Sequence, residues 1–276
     1  MTEIGGSNPG ITVILPGGSG AAVTLAWAAA TDTGRRRTAN EDSFVATSPL
    51  FAVADGMGGH SAGDLASAAV VGRLAESIAA DFLAPRTVER ALERATADIS
   101  EIAGDSELGV GTTVTGAFLT VEHDEPYFAV FNIGDSRVYS FDRNELTQVT
   151  VDHSVVQELV EAGALTRDEA EQHPDSNIIT RAVGFNAQPT PDYWMIPVRA
   201  GLRLLVCSDG LTKEVNDDRI RLHLAAGLSP SETAGALIDA ALAAGGRDNI
   251  TTIVVDVIDA PAPTMTEDTA PRKRRR

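Results

Sequence analysis

Four apolar runs in this chain end or begin on an aspartate, and that pairing constrains the fold more than any other feature. The stretch "FAVADGMGGH" stops a strand-like run at Asp55, "FAVFNIGDSR" stops another at Asp135, and "LRLLVCSDGLT" a third at Asp209. In "AAGGRDNITTIVVDV" the order is reversed, with Asp248 ahead of the run. Short apolar runs bounded by turn residues suit strands buried on both faces. An aspartate at such a boundary is held where the rigid sheet meets solvent, positioned yet reachable. Asp-Gly is also an ordinary turn, so the pattern alone leaves two readings: separate turns, or one site at a common edge.

Strand-like runs fall near residues 24–30, 43–54, 112–121, 126–133, 136–141, 202–208 and 250–258. Pro126 and Gly134 separate runs that are close in sequence, which favours antiparallel hairpins. Helix signals lie between these groups. Ser61 to Asp64 offers a cap, followed by Leu65, Ala68, Ala69, Leu74 and Ile78 at helical spacing. Val88, Leu92, Ala95, Ile99 and Ile102 mark a second helix after Pro85. Thr166–Glu169 is a capping box for a short helix stopped by His173-Pro174, and Ser229–Glu232 caps another that Gly245-Gly246 ends. Helices between groups of strands, rather than after every strand, indicate an α+β fold and not a doubly wound parallel sheet. Without repeat or linker, the chain reads as one domain over residues 21–259. A flexible Gly/Pro-rich arm (1–20) precedes it, and a disordered, basic-ended tail (260–276) follows.

The formal net charge is −17, from 22 basic and 39 acidic residues, which disfavours nucleic acid and anionic membrane as partners and suits a binder of cations. The hydrophobic fraction, 43%, can supply a sizeable core. The single cysteine, Cys207, excludes an internal disulfide and a thiolate-rich metal site. No stretch reaches the roughly 18 apolar residues of a membrane span. "AAVTLAWAAA" lacks the basic n-region of a signal peptide and reads as a strand, so the expected location is the cytoplasm. The terminal "RKRRR" reads as a solvated tail, or as a contact for an acidic surface.

Converging carboxylates would repel one another unless a cation lay among them. Oxygen-only ligands suit Mg²⁺ or Mn²⁺, and the missing Cys/His pattern argues against zinc. "GRRRTANEDSF" adds Glu41 and Asp42 just after Arg37. A guanidinium fork beside a metal cluster suggests an anion such as phosphate between them, although a surface turn with charge pairing explains the same residues.

The segments "RRRTANED", "VADGMGG", "GVGTTVTGAF", "FNIGDSRVY", "LTQVTVDHS", "LVCSDGLT" and "RDNITTIVV" follow one another between about Thr31 and Val257. In that order the chain resembles the protein phosphatase 2C family of metal-dependent serine/threonine phosphatases, in its bacterial branch. The resemblance implies a four-layer α-β-β-α sandwich of two mainly antiparallel sheets. It implies two Mn²⁺ or Mg²⁺ ions, with Asp55 bridging them, the Gly56 carbonyl and Glu41 adding ligands, and Asp209 and Asp248 holding one ion. Asp135 with Asp209 matches the family's third metal position, and Asn177 falls where relatives can contact that ion. Asp42 and Asn249 would support the ligands from behind, Arg37 would clamp the phosphate, and residues 152–184 correspond to a mobile flap. A water bridging the two ions would attack phosphorus directly, without a phosphoenzyme. Met57 stands where animal relatives carry a histidine, so the leaving group's proton would come from metal-bound water or from the substrate. The implied partners are phosphorylated proteins, targets of a serine/threonine kinase, and the implied state is a monomer.

Other residues invite other chemistry. A thiol phosphatase needs Cys-x5-Arg, whereas Lys213 stands six beyond Cys207, which reads as a core residue. His123, His173 and His223 read as surface residues, His60 as bordering the first helix, and His153 as a structural hydrogen-bonding residue. Thr112 and Thr113 either bond metal-bound carboxylates or serve as strand residues. Two rival functions share the pattern. One is a silent phosphoprotein-binding pseudophosphatase, which should have lost a ligand. The other is a metal-dependent phosphodiesterase, against which the −17 charge counts.

Overall fold

A computed structural model of the chain describes residues 1–18, 20–58, 62–104, 109–171, 173–185 and 189–262. Strands β1 (Glu3–Gly5), β2 (Asn8–Ile14), β3 (Ala22–Asp32), β4 (Asp42–Thr47) and β5 (Leu50–Met57) come first, followed by helices α1 (Ala62–Glu76) and α2 (Pro85–Ala103). Strands β6 (Gly111–Thr112), β7 (Val114–Glu122), β8 (Glu125–Ile133), β9 (Arg137–Asp142) and β10 (Glu145–Gln148) follow. Helices α3 (Val155–Glu161) and α4 (Arg167–Glu171) lead to β11 (Asp192–Pro197) and β12 (Arg203–Cys207). Helices α5 (Asp209–Thr212), α6 (Asp217–Ala225) and α7 (Pro230–Ala244) precede the last strand, β13 (Ile250–Asp259).

The strands make two sheets. One runs β1-β4-β5-β7-β8-β11, with β6 paired to β5, and the other runs β10-β9-β12-β13-β3-β2. Every pairing is antiparallel except β1 with β4. Side chains alternate between two cores, which is why the strands are apolar throughout. Phe51 and Val53 of β5 meet Leu204 and Val206 of β12 between the sheets. Their neighbours Leu50, Ala52 and Ala54 face α1 and α2, at Val70, Leu74, Leu92 and Ile99. On the opposite side, Leu205 and Cys207 face the helices at Leu211, Ile220, Leu237 and Ala241. The result is the α-β-β-α sandwich. Between the sheets, Trp27 packs edge-on against Phe51 (5.3 Å between ring centroids) and donates its indole N–H to the Ala46 carbonyl (3.0 Å).

Turn chemistry sets the hairpins. His123 and Asp124, both left-handed (φ 52° and 64°), join β7 to β8, and Arg143 and Asn144 (φ 50° and 67°) join β9 to β10. Such two-residue turns match the twist of the strands they connect. The expected run over 43–54 is two strands, because the chain reverses at Ser48-Pro49 and Thr47 pairs with Leu50. Both capping boxes form, Thr166 with Glu169 and Ser229 with Glu232.

The loose arm expected over residues 1–20 is a correction. β1 pairs with β4 and β2 with β3, while Val13 and Leu15 fill the core between the sheets. The Thr2 N–H donates to Ser43 Oγ (2.9 Å), which fastens the start of the chain. His60, Ser61 and the tail from residue 263, including "RKRRR", lie outside the described residues. Among the described residues no helix is long and apolar enough to cross a membrane.

The second helical layer is tied to its sheet by Arg203. Its guanidinium makes a forked pair with Asp256 (2.6 and 2.7 Å) and donates to the carbonyls of Leu224 (3.0 Å) and Leu228 (2.7 Å). Removing one partner of a largely buried pair costs more than removing both. Arg203→Met is therefore expected to lower unfolding free energy by about 3 kcal/mol or more. Adding Asp256→Leu should recover part of that loss in urea denaturation. A double variant less stable than the single one would contradict this role for Arg203.

Candidate functional site

The six carboxylates in question are carried by different elements. Asp42 opens β4 and is the register partner of Asp55 near the end of β5. Glu41 precedes β4, and Asp135 occupies the turn between β8 and β9. Asp209 begins α5 rather than ending a strand, and Asp248 lies just ahead of β13. The fold brings them to one place. A cleft of about 890 Å³ is lined by Arg37, Glu41, Asp55, Gly56, Asp135, Asp209 and Asp248, together with Met57 and, from the 152–184 segment, Asn177 and Arg167. Asp42 and Asn249 are buried instead of lining it.

Those two buried residues hold the floor. Asp42 Oδ2 accepts hydrogen bonds from Ser208 Oγ (2.8 Å) and Thr251 Oγ1 (2.7 Å), joining the first sheet to the second. Asn249 Oδ1 accepts from the Glu41 N–H (2.8 Å), and Asn249 Nδ2 donates to the carbonyls of Thr33 and Ala39 (2.9 Å each). That one side chain fixes the loop carrying Arg37 and Glu41. Two glycines allow backbones to meet here. A Cβ on Gly210 would lie 1.9 Å from the Asn249 carbonyl oxygen, and one on Gly56 would lie 2.0 Å from the Gly63 oxygen at the start of α1. Thr112 and Thr113 bond the Asp55 main chain rather than its carboxylate. The Asp55 carbonyl accepts from Thr112 Oγ1 (2.8 Å) and the Thr113 N–H (2.9 Å), and the Asp55 N–H donates to Thr113 Oγ1 (3.2 Å).

The electrostatics are those of crowded anions. Burial, followed by repulsion from Asp42, Asp209, Asp135 and Asp248, holds the Asp55 carboxyl well above the usual range. Burial pushes Asp42 up to about 7, against the hydrogen bonds from Thr251 and Ser208. Burial and Asp209 raise Asp135 to about 7 as well, with Lys213 opposing. Burial also raises Glu41, against the pull of Arg37. Two cations answer part of this charge. Arg37 makes a forked pair with Asp248 (2.7 and 2.9 Å), and Lys213 pairs with Asp209 one helical turn away. The sequence reading missed Lys213, although its i,i+4 spacing from Asp209 was a usable signal. It also missed the pair of Arg137 with Asp152 (2.7 Å) at the base of the cleft wall.

Among the described residues no three acidic, histidine or cysteine side chains are gathered in metal-binding geometry. Asp209 and Asp248 are turned to Lys213 and Arg37. Two buried oxygens, Asp42 Oδ1 and Asp209 Oδ1, nonetheless have no hydrogen-bond partner. With an all-oxygen donor set and raised carboxyl affinities for a positive charge, the cleft fits a hard divalent cation. Nitrogen and sulfur are absent from that set. His153 is turned elsewhere, accepting from the Gly134 N–H at Nδ1 (3.1 Å) and meeting Asp192 at Nε2 (3.1 Å). Cys207 is buried under the helices, its thiol pushed up to about 12 by burial.

The protein phosphatase 2C family model matches residues 31–244. The serine/threonine protein phosphatase PstP of Mycobacterium tuberculosis is 41% identical over 243 residues, covering 86% of this chain and 46% of the relative. The chain thus spans about half the length of that relative. The serine/threonine phosphatase stp of Listeria monocytogenes is 34% identical over 239 residues, covering 82% of this chain and 93% of the relative. A solved catalytic domain of PstP in complex with two manganese ions superposes with a TM-score of 0.76 at 38% identity, covering 86% of this chain and 99% of the other.

The crowding predicts a pH dependence. Asp42, Asp55 and Asp135 keep protons in the folded state at pH values where the unfolded chain has released them. The contribution of Asp42 and Asp135 to stability is complete below the ordinary aspartate value of 3.8 and is lost as the pH rises through about 7, and that of Asp55 is lost in the same direction. In EDTA, the urea midpoint should fall across that range, and saturating Mn²⁺ should flatten the fall. A midpoint indifferent to pH in EDTA, or a slope unaltered by Mn²⁺, would contradict the electrostatic account.

Proposed function

The chain belongs to the protein phosphatase 2C family, and from the chemistry of its cleft we propose that it is a metal-dependent phosphatase hydrolysing phosphoserine and phosphothreonine in proteins. One observation carries the reading: Arg37, Glu41, Asp55, Asp135, Asp209 and Asp248, drawn from separate elements, line a single cleft. Relatives bearing the name serine/threonine phosphatase, and a structural neighbour described with two manganese ions, support it.

In this reading Asp55, the Gly56 carbonyl, Glu41, Asp209 and Asp248 would hold two Mn²⁺ or Mg²⁺ ions, and Asp135 with Asp209 would serve a third. When bound, the ions supply an acidified water as nucleophile and neutralise charge on the phosphate. The chain's own residues do the rest. Asn249 and Asp42 keep the loop and strand bearing Glu41 and Asp55 in place. Arg37 sits beside Asp248, close enough to the carboxylates to take phosphate oxygens with its fork. We take hydrolysis to be direct, and a cysteinyl-phosphate is disfavoured because Cys207 is buried, with its thiol pushed up to about 12 by burial. The leaving group takes its proton from water or from the substrate, because Met57 lines the cleft at the position that is histidine in animal relatives. We read the protein as a cytoplasmic monomer acting on targets of a serine/threonine kinase; its net charge of −17 and single free cysteine are in keeping with the cytoplasm.

Hydrolysis of p-nitrophenyl phosphate and a phosphothreonine peptide should require Mn²⁺ or Mg²⁺ and stop in EDTA. Asp55→Ala and Asp209→Ala are each expected to lower kcat by about a hundredfold or more, the scale of losing a group that stabilises charge in the transition state. Arg37→Ala should chiefly raise KM, and Cys207→Ala should leave the chemistry intact. A wild type that binds Mn²⁺ yet hydrolyses neither substrate would instead indicate a phosphoprotein-binding module.

A further inference from the structure

Five basic side chains line the cleft: Arg37, Arg137, Arg167, Lys213 and Arg247. Four are engaged. Arg37 pairs with Asp248, Arg137 with Asp152, Lys213 with Asp209, and Arg247 with Glu214 (2.8 Å). Arg167 differs from them. It is exposed, and among the described residues it makes no hydrogen bond or ion pair. The nearby Glu169 does not neutralise it, because that carboxylate accepts from the Thr166 N–H (2.8 Å) and Thr166 Oγ1 (2.7 Å). This capping box fixes the backbone from which the guanidinium projects. Arg167 belongs to the 152–184 segment, whereas the phosphate-facing Arg37 comes from the loop between β3 and β4.

From this contrast we propose that Arg167 is a specificity residue, selecting phosphoprotein substrates that carry a second anionic group near the phosphoresidue being hydrolysed. The inference rests on the phosphatase reading above. A guanidinium without a carboxylate partner among the described residues, in a cleft whose other basic side chains are paired, has its charge available to a ligand. It makes charge-assisted, two-pronged bonds to a phosphate or a carboxylate. The carboxylate-rich remainder of the cleft would repel a second anion elsewhere, so this position also orients the chain lying across it.

The test compares phosphothreonine peptides with neutral flanks against peptides bearing one further phosphothreonine, or one aspartate, at each nearby position. The readout is the ratio of kcat/KM between acidic and neutral peptides, measured with saturating Mn²⁺. Wild type should favour at least one acidic peptide by about fivefold or more, a preference that weakens as salt is added. Arg167→Ala should bring the ratio to about one, Arg167→Glu below one, and Arg167→Lys between wild type and alanine. Arg94→Ala, which removes the same charge from α2 outside the cleft, should keep the wild-type ratio. The phosphorylated and aspartate series show which anion is preferred, and a preference for either supports the proposal. Active enzyme with no acidic preference, or a preference that survives Arg167→Glu, overturns it while leaving the phosphatase reading intact. Failure to hydrolyse any peptide or p-nitrophenyl phosphate overturns both.

Discussion

One buried carboxylate joins the two sheets directly behind the cleft. Asp42 opens a strand of the first sheet, yet its Oδ2 takes hydrogen bonds from Ser208 and Thr251, which flank and belong to strands of the second. Burying a carboxylate is costly unless it is satisfied, and here only one of its oxygens is. The arrangement therefore has a purpose beyond packing: it fixes β4 and β5 against β13, so that Asp55 and Asp248 face the same space. Asn249 repeats the device from the second sheet, holding the Glu41 N–H and the loop before it.

The site follows from this construction. Its carboxylates are backed by sheets that cannot spread apart without breaking the core around Trp27 and Phe51. Burial first, and their mutual repulsion after it, raise the proton affinity of Asp42, Asp55 and Asp135. Lys213 and Arg37 offset part of it. An acidic cleft of oxygen donors beside a guanidinium fits divalent cations and a phosphate, in line with the function proposed above.

Much of this could be read from the residues themselves, for physical reasons. Strands apolar on both faces signalled burial on both sides of each sheet, and the helix caps at Thr166 and Ser229 were local signals that tertiary packing did not override. Asp55, Asp135, Asp209 and Asp248 stood out because each interrupts or precedes an apolar run. What escaped was non-local. The first strands lie in a Gly/Pro-rich segment and are held by partners such as Ser43 and Trp27. β11 is an edge strand bracketed by prolines, which no alternation reveals. The bond between Asn249 and Glu41 spans 208 positions, and the pairing of Arg37 with Asp248 spans 211. No motif spacing encodes either. Asp209 was placed at a strand end, whereas Ser208 turns the chain so that Asp209 begins a helix, bringing Lys213 over it.

If the carboxylates around Asp55 are gathered to hold divalent cations, the protein should bind them in a fixed number. The most direct measurement is the number of Mn²⁺ ions bound per chain, by calorimetric titration of metal-free protein, in wild type and in Asp55→Asn. Wild type should bind two ions, with binding lost or greatly weakened in the variant while the fold persists by circular dichroism. Wild-type protein that takes up no Mn²⁺, or an Asp55→Asn variant that binds as wild type does, would contradict that role for the carboxylates.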